Sequence, residues 1–136
     1  MKLYLGVDQV PEWQSNWDTY DLGKHLEEKY GLFSKFYEMD KDKIAKYIEE
    51  GIEGTLSTYQ LTGQMPADPL PSVGTQIVRD FQDMIDQKKF DNVLPNVPTK
   101  ASKIGIRRRF KNRLDPNRPS FQDTGIFEAS LEAWIK

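Results

Sequence analysis

Between Lys100 and Arg118 the sequence sets eight basic side chains against a single acid, Asp115. The bases are Lys100, Lys103, Arg107, Arg108, Arg109, Lys111, Arg113 and Arg118, a net charge of +7. The rest of the chain holds 11 bases and 20 acids and so carries −9. Guanidinium and ammonium groups at this density suit two kinds of counterpart, nucleic-acid phosphates and the carboxylates of another protein surface. The chain supplies an acidic surface of its own in Glu27, Glu28, Asp40, Asp42, Glu49, Glu50 and Glu53. A contact between neighbouring copies is therefore as natural as a nucleic-acid contact. A plain solvated loop is the third reading. Phe110 is the one aromatic among these bases, a poor platform for stacking bases.

Other residue patterns that could do chemistry fall away. Asp123-Thr124-Gly125 coincides with the tripeptide of aspartic proteases, which need two such carboxylates sharing a proton, each on a loop of a mostly β body. The residues after Gly125 have helical spacing, so a turn with a helix cap explains the tripeptide better. The single histidine, His25, stands beside Lys24 with no clustered partner, and there are no cysteines. Together these leave no thiolate or histidine-rich metal site and no cysteine nucleophile. Glu27-Glu28 and Glu49-Glu50 are adjacent in sequence and cannot face one site from a helix. With no Gly-rich phosphate loop either, the sequence points to a protein that is not an enzyme and needs no cofactor.

The elements that must carry these residues follow from the spacing of apolar positions. At 136 residues, 38% hydrophobic and with 16 aromatics, the chain has one domain's worth of core, residues 1–136. Leu3, Leu5 and Val7 alternate and predict an edge strand over 2–7. Helices are predicted near 12–30, 32–37, 40–62, 72–89 and 124–135. Trp13, Trp17, Tyr20, Leu22, Leu26 and Tyr30 give the first, and Gly31 stops it. In the third, Asp40 serves as N-cap to Ile44, Tyr47, Ile48, Ile52, Leu56 and Tyr59, with Gly51 and Gly54 as places where another backbone comes close or as a slight weak point in the helix. Ser72 caps the fourth, with Val73, Ile77, Val78, Phe81, Met84 and Ile85 on one face. The fold class is α+β, mainly helical, with a short N-terminal strand and long extended arms.

Those arms are a proline-rich loop at 63–72 and the basic arm at 92–120, followed by a C-terminal docking segment at 121–136. The basic arm fits two elements. Ile104, Ile106 and Phe110 would suit a strand, whereas Ile106, Phe110 and Leu114 would line one side of a helix. No window is apolar enough for a membrane span, and the N-terminus lacks a signal-peptide apolar region, so a soluble protein made in the cytoplasm is expected.

The segment Arg118-Pro-Ser-Phe-Gln-Asp-Thr-Gly-Ile-Phe-Glu-Ala-Ser-Leu-Glu-Ala-Trp134 resembles the neck and tail-completion class of small virion proteins from tailed bacteriophages. Members of that class often carry an Arg-Pro-Ser-Phe-type segment and then a Thr-Gly turn with a short amphipathic continuation. The order of parts is similar as well: central helix, proline-rich break, basic arm, Thr-Gly element. The resemblance covers about an eighth of the chain. It implies a structural protein of the virion, synthesised in the host cytoplasm. Such a protein assembles as a six- or twelve-fold homo-oligomeric ring at the head–tail connection or tail end, against neighbouring neck or tail proteins. On that reading Lys103, Arg107, Arg108, Arg109, Lys111, Arg113 and Arg118 are inter-subunit or DNA-channel contacts. Phe121, Phe127, Leu131 and Trp134 dock the tail segment against the helices or a neighbouring protein. A baseplate or sheath-attachment component, and a nucleic-acid-binding module using the basic arm directly, are the alternatives.

Overall fold

The first helix begins at a reciprocal cap. Asp18 accepts a hydrogen bond from the Asp21 backbone N–H at 2.9 Å, and the Asp21 carboxylate accepts one from the Asp18 N–H at 3.3 Å. Two of the N–H groups that a helix start leaves unpaired are satisfied in this way. The same backbone bond holds the Asp18 carboxyl below its ordinary pKa. The computed structural model describes residues 2–9, 18–66, 70, 72–99, 120–121 and 126–135. Along them run β1 (Leu3–Val7), α1 (Thr19–Tyr30), α2 (Leu32–Thr62), α3 (Val73–Asp86), a one-turn α4 (Ile126–Ala129) and β2 (Leu131–Ile135). The fold is α+β and mainly helical, with a two-stranded antiparallel sheet.

Gly31 joins α1 to α2 in a left-handed conformation (φ 66°) that favours glycine, and its N–H closes onto the Glu27 carbonyl at 2.8 Å. Glycine has no side chain to cap the helix that follows. Glu27 reaches across the corner instead, accepting from the Phe33 N–H at 2.8 Å, the Ser34 N–H at 3.3 Å and the Ser34 hydroxyl. A carboxylate at a helix N-terminus also complements the helix dipole.

The helices expected at 32–37 and 40–62 are one continuous helix of 31 residues. Phe36, Asp40, Ile44 and Tyr47 recur in steps of four and three, so the aromatic turn and the long stripe share one face. Nothing between 37 and 40 breaks it. Asp40 is accordingly not an N-cap but a buried mid-helix residue. Ser72 precedes α3 as expected, although its side chain makes no capping hydrogen bond. Val73, Ile77, Phe81, Met84 and Ile85 of α3 are buried.

The helices α2 and α3 run antiparallel. Near the start of α2 the Phe36 and Phe81 rings stack at 4.2 Å between centroids, and further along Val73 and Leu70 press on Gly51. A Cβ at Gly51 would lie 2.7 Å from Leu70 Cδ2. The residue is small because side chains crowd it, whereas the space beside Gly54 is open. Phe90, Leu94 and Val97, in the turns after α3, complete the core.

The helix expected at 124–135 is corrected: residues 126–129 form one helical turn and 131–135 a strand. Leu131, Ala133 and Ile135 alternate, a pattern overlain by the helix-like spacing of Leu131, Trp134 and Ile135. The backbone groups of β1 decide the matter, because a lone strand leaves them unpaired. The strands pair from Leu3 opposite Ile135 to Val7 opposite Leu131, and Asp8 N–H extends the ladder to the Ser130 carbonyl at 2.6 Å. The sheet lies on α3 so closely that a Cβ at Gly74 would overlap the Ala133 carbonyl oxygen.

Candidate interaction surface

The basic residues singled out by sequence, Lys103, Arg107, Arg108, Arg109, Lys111, Arg113 and Arg118, lie outside the described residues, as do Trp13, Trp17 and Asp123-Thr124-Gly125. The four docking residues are described. Phe127 and Leu131 are buried in this chain's own core. Phe121 packs edge-on against Tyr30 of α1. Trp134 points to the outer side of the sheet, is 38% exposed and stacks on Tyr4, its partner across the ladder, at 5.7 Å. Gly6 makes room for that indole, since a Cβ there would come within 3.1 Å of it.

Of the surface acids, Asp42, Glu49, Glu50 and Glu53 of α2 and Glu28 of α1 are exposed. Asp40 has to be removed from that set. Its side chain is 6% exposed and Oδ2 has no hydrogen-bond partner. Asp80 faces it from α3, where Oδ2 of Asp80 accepts a 2.7 Å hydrogen bond from the Tyr47 hydroxyl. Burial first, then the Asp80 carboxyl, pushes the Asp40 pKa up to about 6, while Lys43 and Lys89 pull it down. Tyr47 is pushed up to about 12, chiefly because Asp80 holds its proton. Two carboxyls and a phenol make a polar seam between α2 and α3. The sequence signal was the register of Asp40 with Phe36 and Ile44, which places it on the inner face.

Among the described residues, a run of exposed apolar side chains lies farther along α2. Beyond Gly51, where α3 begins, α2 continues for 11 residues, about 17 Å at 1.5 Å per residue. No residue from 52 to 65 is buried, yet this stretch displays Ile52, Leu56 (53% exposed), Tyr59, Leu61 and Met65. From Gly51 to Pro66 the sequence contains one charge, Glu53. An apolar, almost uncharged helix end held in water is a candidate contact surface. Sequence periodicity assigned Ile52, Leu56 and Tyr59 to the same stripe as Ile44 without showing that α3 packs along a line through Ile44 and Gly51, to one side of them.

His25 is exposed, and no group of three or more His, Cys, Asp or Glu side chains is gathered for a metal among the described residues. No helix among them is long and apolar enough to cross a membrane. No protein-family model matches this sequence, and neither curated proteins nor solved structures match it.

Proposed function

We propose that this chain is a structural, non-enzymatic virion protein, a ring subunit at the neck or tail junction of a tailed bacteriophage. The observation that carries the interaction role is the outer half of α2, whose apolar residues Ile52, Leu56 and Tyr59 are exposed. The charge split adds a second attachment. A +7 segment at 100–118 meets the exposed acids of α1 and α2 on a neighbouring copy, or DNA passing through a channel. The similarity of residues 118–134 to neck and tail-completion proteins supports the place in the virion, and Trp134 with Phe121 serves docking of the C-terminal segment. The finer features, extended arms and a six- or twelve-fold ring, belong to this proposal.

Cryo-electron microscopy of the particle fraction containing the chain tests it, with classification by symmetry. Density for the chain in a ring at a tail junction is the expected result; particles that lack it overturn the reading. The basic segment also favours a second reading, direct nucleic-acid binding. That one requires the purified chain to bind duplex DNA with an affinity that falls steeply as salt rises.

A further inference from the structure

We propose that the outer half of α2 pairs, antiparallel, with the same segment of a second copy of this chain. This goes beyond the virion role and does not depend on it. Along the outer half of α2, Ile52, Leu56 and Tyr59 follow in steps of four and three, the spacing of a helix–helix seam, while Ile48, one turn inward, packs against this chain's own core. The stripe lies roughly a quarter turn from the line through Ile44 and Gly51 that faces α3. Lengthening α3 would not cover it, but a helix laid alongside α2 would. Leu61 projects from the opposite side and takes no part.

The charges select both the occupant and its direction. Glu49 and Glu53 flank the stripe at the inner end of this stretch, Glu50 points to the opposite side where Lys46 pairs with it, and residues 54–66 carry no charge at all. Parallel copies would set Glu49 and Glu53 beside their own images, an arrangement that repels. An antiparallel crossing centred on Leu56 sends the acids of each copy past the uncharged end of the other. Ile52 of one copy then lies beside Tyr59 of its partner, and the two Leu56 side chains meet on the two-fold axis. A strongly basic partner would find acids only at the inner end of this surface, whereas a second copy matches it in shape, polarity and spacing. The contact is about 17 Å long and one helix wide, short of the roughly 800 Å² per partner that a stable complex buries. The pair is therefore weak and dependent on concentration.

The chain has no cysteine, so single-cysteine variants give clean readouts. Under a mild oxidant, Leu56→Cys should cross-link to itself about tenfold faster than Leu61→Cys, because pairing raises the local thiol concentration. Leu61 is the more exposed position, 86% against 53%, and random collision would favour it. Equal rates, or a faster Leu61→Cys, would overturn the proposal. In a mixture, Ile52→Cys and Tyr59→Cys should join to each other in preference to themselves; a majority of self-linked products would refute the antiparallel arrangement. Sedimentation of the unmodified chain should show mass rising with concentration, and Leu56→Glu should abolish the rise while its circular dichroism stays helical. An unmodified chain that stays monomeric at several hundred micromolar, with no selective cross-linking, would assign the stripe to a different protein. A ring seen in particles without this pairing in the purified chain would defeat the inference and leave the virion role standing.

Discussion

The two halves of α2 carry similar apolar residues, which meet different fates. From Leu32 to Gly51 the helix sinks Leu32, Phe36 and Ile44 into the core against Phe81 and Val73. From Ile52 to Thr62 it displays isoleucine, leucine and tyrosine to solvent. Helical periodicity makes a face apolar, but whether that face is buried depends on which side of it the neighbouring helix takes. Ile44 and Gly51 lie on the line that faces α3, whereas Ile52, Leu56 and Tyr59 lie about a quarter turn away from it.

Truncating one side chain in each half sharpens the contrast most. Phe36→Ala should cost about 3–5 kcal/mol in urea unfolding, since it removes a fully buried ring, whereas Leu56→Ala should change stability by about 0.5 kcal/mol or less. Comparable costs at the two positions would mean that Leu56 is buried in the isolated chain.

Gly74→Ala comes next. Its new methyl group would push β2 away from α3, and a loss of about 1–3 kcal/mol is expected in thermal or urea unfolding.

A smaller effect, and one dependent on pH, is expected at the polar seam. Asp40 holds its proton more tightly in the folded chain (pKa about 6) than at its ordinary value of 3.8. Folding therefore takes up a proton between these values, and stability falls as pH rises from about 4 to about 6. The loss persists above that window. Solvent at the half-buried Asp80 side trims it to something on the order of 2 kcal/mol. Asp40→Asn, which keeps the shape without the charge, should melt several degrees higher than the native chain at pH 7.5. The two should converge near pH 4. A gain that is equal at both pH values would remove charge as its cause.

A gain, not a loss, is expected for Gly54→Ala, on the exposed half, where a methyl group meets nothing within 4 Å. It should stabilise the helix by about 1 kcal/mol, whereas the same change at Gly51 must displace Leu70 and Val73. Thermal melts of the two variants side by side measure the difference.

Much of this framework was legible in the sequence. Alternating Leu3, Leu5 and Val7 gave β1, Gly31 ended α1, and the period of Val73 to Ile85 gave the inner face of α3. Three features were not legible, for reasons that can be stated. Asp40 after an aromatic turn looks like a cap because aspartate commonly caps helices, and its burial depends on Asp80 and Tyr47, which lie far from it in sequence. Residues 131–135 fit both periods, and only the need of β1 for a partner separates them. Gly74 sits inside an amphipathic helix, and no local pattern announces the strand that crosses it. For the candidate surface, spacing identified the stripe on α2 but could not show which side of it α3 covers. The basic segment, the strongest signal in the sequence, lies outside the described residues.

The pairing of Leu3 with Ile135 joins residues 132 positions apart. Synthesis proceeds from β1 toward β2, so the first strand made is the last to find its mate. The α2–α3 hairpin, a local contact, can close while β2 has yet to be translated. Until then Leu3, Leu5 and Val7 travel as an open strand on a nascent chain, free to pair wrongly. Ribosome-bound chains stopped before residue 131 should thus be protected from protease along their helices and cut readily within residues 2–8.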